Sequence, residues 1–376
     1  MLGLLTDNPL TASGNLVDYY ERLLSVVIRQ GSSFPIGASS GGFTYSFDPQ
    51  LGLPVRRTQS FGPMFADRPL TIGRHKFSAS LSAQQTAWRA LGGVDLKQGL
   101  TLTYWNLAQN TQSGHPEAAF TRTQMTFRTT REVFNATYGF SDRIDLGLLV
   151  TYGQAVVTGN TKYVLTDLTT GATIDEFHKD YAGTVSGLGD AAARMKYEFL
   201  RRSSIDLALG LDWKGRPPTA PTRPHILGTN VTQARAALIG SLPHGNIAPH
   251  FNVGYTLVRW FHYGQLLRGV QGSPLPESDE VDYTVGADAA VTNALTVSGD
   301  VIGRTLLQSY NFKQSIGPSV SEMAITGGKV NVLLGAAAAK LLVRRDWLLN
   351  LSVAFPLNNG GLKPSVTPVI GLERAF

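Results

Sequence analysis

The sequence predicts an all-β fold: a transmembrane antiparallel β-barrel of about twelve strands, preceded by a short N-terminal helix and an irregular, plug-like segment. Three observations predict it. Runs of roughly ten residues alternate between apolar and polar side chains, the length a tilted strand needs to cross a bilayer. The links between those runs are short and long by turns, and the chain ends on a phenylalanine, Phe376.

Composition narrows the classes. Only 16% of the 376 residues are charged and 43% are hydrophobic, yet the mean hydropathy is −0.03, so polar and apolar residues are interleaved. The longest apolar stretch, Val332 to Ala339 with Leu341 to Val343, is interrupted by Lys340 and falls short of the ~20 residues of a spanning helix. A helical membrane protein is thereby excluded. The 40 glycines, 13 tyrosines and 17 phenylalanines favour strands joined by turns. The absence of cysteine removes disulfides, metal-thiolate sites and thiol nucleophiles. The net charge of +6 comes from dispersed basic residues without an aromatic-basic module, so nucleic acid is not an expected partner. Met1 to Leu10 carry no basic region followed by an apolar core, so an exported protein would be a mature or truncated form here, or one whose start was assigned late.

In chain order, Leu16 to Arg29 reads as one amphipathic helix, with Ser13, Gly14 and Asn15 as cap candidates and Gly31 beyond its end. Residues 31–73 are rich in Gly, Ser, Pro and Phe with no sustained period. Their aromatics (Phe43, Tyr45, Phe47, Phe61, Phe65) suggest an ordered irregular segment. The expected division is 1–73, helix and periplasmic or plug segment, and 74–376, barrel.

After Gly73 the alternation begins. Ile144, Leu146, Leu148, Val150 and Tyr152 face opposite to Asp145, Gly147 and Thr151; Ile205 to Trp213, Val281 to Ala289 and Trp347 to Phe355 repeat the pattern. A soluble antiparallel sheet would also alternate, so the connections decide. Strands are expected near 75–88, 121–140, 144–157, 187–199, 205–214, 231–242, 247–259, 281–291, 294–307, 328–343, 347–356 and 362–376. Short links (141–143, 201–204, 244–246, 292–293, 344–346) then alternate with long ones (89–120, 158–186, 215–230, 260–280, 308–327), as periplasmic turns alternate with extracellular loops in bacterial barrels. An even count puts both termini in the periplasm. The last strand carries Pro368, Ile370, Leu372 and Phe376 on one face, like the terminal signal read by the barrel-assembly machinery, although Arg374 departs from that pattern.

Four stretches resemble a known family: Ser39 to Pro49 (SSGGFTYSFDP), Ser60 to Arg74 (SFGPMFADRPLTIGR), Tyr138 to Gly147 (YGFSDRIDLG) and Gly187 to Asp190 (GLGD). They are similar to the outer-membrane family named after the meta-pathway of phenol degradation. The resemblance covers about residues 39–200 and the chain end. It implies a transporter-like barrel akin to fatty-acid and hydrocarbon channels, taking up apolar or aromatic compounds. The family name records a gene neighbourhood and implies no particular substrate.

In a barrel the polar alternates point inward. The expected lumen or solute path comprises Lys76, Asp145, Asp190, Arg194, Lys196, Glu198, Asp212, His250, Asp282, Asp300 and Arg304, with Asp206, Lys214, Asn252 and Asp288 beside them. Such charges either form a constriction that selects solute or a ladder of pairs that fills the lumen. Phe140, Tyr152, Trp213, Tyr255, Trp347 and Phe355 are expected outside as interface aromatics. No Walker loop, dinucleotide turn, HExxH or G-x-S-x-G stands in context, so no catalytic residue, metal or cofactor is expected. His250 and Asn252 share the inward face, away from lipid, and His178 with Asp175 or Asp180 reads as solvated loop. The expected partners are outer-membrane lipid and lipopolysaccharide, the barrel-assembly machinery acting on Phe376, and a small-molecule solute. A scaffold in an envelope complex, docked through the N-terminal segment to an envelope protein, is the alternative to a channel.

Overall fold

The computed structural model describes residues 26–27, 30–31, 42–48, 53–56, 58, 60–106, 114–215, 227–228, 232–259, 278–316 and 321–376. In chain order the described strands begin with a small antiparallel hairpin, β1 (Tyr45–Asp48) and β2 (Leu53–Arg56). There follow β3 (Phe77–Leu91), β4 (Val94–Asp95), β5 (Leu100–Asn106), β6 (Glu117–Gly139), β7 (Ile144–Asp167), β8 (Thr173–Arg201) and β9 (Asp206–Gly215). The rest are β10 (Thr232–Ser241), β11 (Ile247–Arg259), β12 (Glu280–Ala290), β13 (Leu295–Ile316), β14 (Ser321–Arg344), β15 (Trp347–Pro356), β16 (Leu362–Pro364) and β17 (Thr367–Ala375).

Twelve of these form a closed antiparallel ring, β3 and β6 to β15 in sequence and then β17. Closure is made on both sides of β3: Phe77↔Tyr138 to Trp88↔Phe127 against β6, and Val369↔Gln84 to Ala375↔Ser78 against β17. The ring therefore leaves no open edge, the condition for spanning a bilayer with strands. β4, β5 and β16 are short additions that pair with β3 or β6 at the rim.

Side-chain placement separates this barrel from a water-soluble sandwich. Leu81, Val285 and Ile370 are 58%, 56% and 53% exposed, while Asn350, Asp288 and Thr284 on neighbouring inward positions are buried. A soluble protein would show the reverse. The outward apolar faces therefore require lipid.

Two hairpins run far past that belt. β7 and β8 have 24 and 29 residues, and β13 and β14 have 22 and 24, about twice the ~10 a crossing needs. The stretches expected as long loops at 158–186 and 308–327 are thus largely continued strand. Threonine and β-branched runs such as Val156 to Val164 sustain pairing beyond the membrane because cross-strand partners, and not lipid, hold them there.

The N-terminal region also differs from expectation. Residues 31–73 include the β1/β2 hairpin, so the region is not wholly irregular. Most of the helix expected at 16–29 lies outside the described residues. Of it, Val26 and Val27 are described as helical and are buried.

Candidate functional site

The barrel interior is the candidate site. Its core is a row of inward charges that crosses several strands. Lys196 on β8 meets Asp145 on β7 at 3.2 Å, and Arg194, one inward position further, meets Asp212 on β9 at 2.8 Å. Arg235 on β10 then bridges Asp212 at 3.1 Å and Asp282 on β12 at 2.6 Å.

Arg235 and Asp282 lie on strands separated by β11, and the reach is possible because the inward position between them is Gly254. A Cβ there would stand 2.7 Å from both Arg235 Nε and Asp282 Oδ1. The same device recurs one pair further round. His250 on β11 contacts Asp288 at 3.2 Å and reaches across β12 to Asp300 on β13 at 2.7 Å. Gly286 lies between, and a Cβ at that position would stand 2.3 Å from Asp300 Oδ1. These glycines make room for charge-assisted pairs in a buried space, where each charge left alone would be costly.

A stretch of the N-terminal segment lies against this wall. Asp67 meets Arg194 at 2.8 Å, the Leu70 carbonyl accepts from Lys196 Nζ at 2.7 Å, and the Ile72 amide donates to both Asp145 oxygens at 3.2 and 3.1 Å. Opposite, the Phe61 amide donates to Thr296 Oγ1 at 2.9 Å, and its carbonyl accepts from Lys340 Nζ at 3.1 Å. Ser60 Oγ donates to Asp288, and the Gly42 amide donates to Glu373 at 3.0 Å. Phe43, Phe61, Met64, Leu70 and Ile72 are buried. Burial opposes ionisation of Asp67, but Arg194, Arg235 and Lys196 outweigh it and hold the carboxyl below its ordinary range.

Toward the long hairpins the inward face changes character. Trp88, Met125, Phe127, Ile302, Leu334 and Leu362 form one buried cluster, which also includes Val26 and Val27. The Trp88 and Phe127 rings stack at 5.8 Å. The polar lining expected for the whole lumen is thus interrupted on this side by an apolar cluster, beside which Thr129, Arg304 and Glu280 keep inward polar positions.

Of the residues expected in the lumen, Asp145, Arg194, Lys196, Asp212 and Asp282 belong to the charged row and His250 and Asp300 to its continuation. Asp190 pairs with Lys214 at 3.3 Å, and Arg304 pairs with Glu280 beside the apolar cluster. Glu198 is buried near the short turns, where Arg201 Nε donates to it at 2.9 Å. Lys76 precedes β3 at the short-turn mouth, its ammonium 5.3 Å from the Tyr45 ring centre. The charged partners that strand alternation alone did not single out are Asp67, Arg131, Arg235, Glu280, Lys340 and Glu373. Lys340 had a visible signal, since it interrupts the longest apolar stretch at an inward position.

Outside, Tyr152, Trp213, Tyr255 and Phe355 are exposed and sit seven or eight residues from the short-turn ends of their strands. Phe140, Trp347 and Phe376 lie at those ends. The two levels are about 20 Å apart for tilted strands, near the height of an outer-membrane apolar band. Arg374 stands over the Phe376 ring at 4.5 Å and over Trp347 at 5.2 Å, which gives this cation an aromatic seat at the interface.

A closed ring with a lipid-facing belt and a polar interior defines a transmembrane β-barrel, and the protein resides in the outer membrane. No family model matches the chain, and no curated protein matches it at significant similarity. Among solved structures, it is similar to an outer membrane channel from Pseudomonas putida F1, at 11% identity and TM-score 0.48 over 81% of this chain and 97% of that one. It is also similar to the NanC porin, at 7% identity and TM-score 0.39 over 78% and 98%. A third is the CymD monoaromatic hydrocarbon channel, at 9% identity and TM-score 0.34 over 81% and 89%.

Proposed function

We propose that the protein is an outer-membrane channel for small, apolar or aromatic solutes, with residues 1–73 forming a unit that plugs the polar half of barrel 74–376. The observation that carries this reading is the grip on the segment around Asp67: carboxylates, cations and hydroxyls from β7, β8, β12, β13, β14 and β17 are spent on a stretch of chain that is not a barrel strand. Space remains beside that grip, since a cavity of about 160 Å³ adjoins Arg194 and Asp212. The apolar cluster lies in series with it and offers apolar solutes a compatible surface on the long-hairpin side.

Three of the four stretches that resemble the phenol meta-pathway family support the same reading. Residues 60–74 supply the gripped segment, 138–147 supply the turn and Asp145 that hold it, and 187–190 supply a bulge in the β7/β8 wall. Lipopolysaccharide and lipid around the belt, and assembly machinery acting on the strand that ends in Phe376, complete the proposed partners.

A non-conducting scaffold is the second reading, and it draws on one observation. Most lumen charges have partners, as a sealed core requires. Planar-bilayer recording separates the two. The channel reading expects sparse, small conductance from the intact chain and discrete, larger steps when residues 1–73 are removed. Silence from both, with a folded heat-modifiable barrel on gels, favours the scaffold.

A further inference from the structure

We propose that the cavity beside Arg131 and Lys214 is a binding site for a small aromatic carboxylate, the ring lying on the Leu227 side and the carboxylate on the cations. The proposal deepens the channel reading by naming a solute class, and it rests on that reading for its physiological sense.

The cavity, about 160 Å³, lies between the inner walls of β6 to β11. A cavity of roughly 150 Å³ suffices for a benzene ring. Four cations line it, Arg131, Arg194, Lys214 and Arg235, against two carboxylates, Asp190 and Asp212. Three of the cations have a carboxylate within 3.3 Å. Arg131 does not. Its one hydrogen bond among the described residues goes to the Gly31 carbonyl, and its Nε–H has no acceptor although the side chain is 4% exposed. A buried guanidinium N–H without an acceptor is expensive to keep, and a planar carboxylate is the group that matches it best. Asp190 and Asp212 on the same wall disfavour a dianion, so a monoanion is indicated.

Apolar side chains share the lining with these charges, Ala192 pairing across the strands with Leu149 on one side and Lys214 on the other. Leu149, Ala192 and Leu227 line the cavity, and Leu227 also belongs to the cluster of Met125, Phe127, Ala155 and Val157. A local irregularity brings Leu227 there. The β7/β8 register shifts between Val150 and Tyr152, which leaves Gly189 and Asp190 as a bulge. A Cβ at Gly189 would stand 2.5 Å from the Leu227 carbonyl, so only glycine admits that backbone. One small space is thus lined by a guanidinium whose Nε–H lacks an acceptor and by the apolar side chains of Leu149, Ala192 and Leu227.

The test is calorimetric titration of the intact, detergent-solubilised protein with benzoate, benzyl alcohol and acetate. Benzoate should bind roughly tenfold or more tightly than either of the others, because each lacks one half of the recognition, and a charge-assisted hydrogen bond has about that effect. Arg131→Met should weaken benzoate about tenfold and leave benzyl alcohol unchanged. Equal affinity for benzoate and benzyl alcohol, no binding of benzoate, or no effect of Arg131→Met would overturn the proposal. If Arg131→Met gives no heat-modifiable barrel, Lys214→Met decides: weaker benzoate binding supports the site and unchanged binding overturns it. Conductance of the same preparations is read separately. A conducting protein that binds no benzoate sinks this proposal alone, and a benzoate-binding protein that never conducts sinks the channel reading alone.

Discussion

The two halves of the barrel interior are built on opposite terms. Toward the short turns, Arg194, Asp212, Arg235, Asp282 and the His250 group form directed contacts of 2.6 to 3.2 Å along the wall, and Arg194 extends them to Asp67 of the bound segment. Toward the long hairpins, Trp88, Phe127, Ile302 and Leu334 fill the space mainly by packing, with the hydrogen bond from Trp88 Nε1 to Thr129 Oγ1 at 3.2 Å as a directed contact among them. Buried charges must be satisfied in one geometry, whereas apolar side chains of similar volume interchange at little cost. The charged half is therefore the part that defines where the segment sits, and the apolar half is the part that can adapt.

This contrast can be broken at several points. The largest effect is expected from Arg194→Met, which leaves Asp67 and Asp212 without their shared cation. Removing one partner of a buried pair costs up to about 3–5 kcal/mol, and for this part-buried pair the loss should appear in thermal unfolding together with a rise in open-channel time. Next is Phe61→Ala, in the small apolar island with Phe43 and Leu348. It should cost about 3 kcal/mol of segment docking, read as faster limited proteolysis of the N-terminal region while the barrel stays resistant.

Acid should act more weakly on the same contact. The Asp67 carboxyl has a lowered folded value, so the stability it contributes is complete above the ordinary carboxylate pKa of about 4 and is lost as pH falls through the folded value. Conductance should stay constant from neutral pH to about 5 and rise only in more acid buffer. Asp67→Asn should remove that response, and an unchanged acid response in this variant would place the titration elsewhere. The smallest effect is expected in the apolar half, where Leu334→Met should cost less than about 1.5 kcal/mol and leave conductance as it was.

The same contrast explains what could be read in the sequence. Strands such as Asp206–Gly215 and Glu280–Ala290 were legible because lipid on one side and charge on the other impose a period of two. In β14 the period fades: Leu333 and Ala337 face lipid while Leu334 and Ala336 enter the apolar cluster, so the run reads as one apolar block. The partners of the charged row were less legible for another reason. Arg235 reaches Asp282 over Gly254, and a glycine's role as a gap appears only once register places it between two charges. The hold on Asp67 joins segments 127 residues apart, a contact no local pattern announces.

The most direct test of the central claim, that the segment around Asp67 closes the charged half, is single-channel recording of a charge exchange. Asp67→Arg sets a cation against Arg194 and Arg235 and should open the channel. Adding Arg194→Asp restores an opposite pair and should return the channel toward the closed, wild-type pattern. Conductance of Asp67→Arg indistinguishable from wild type, or a double variant as open as the single one, would contradict the account.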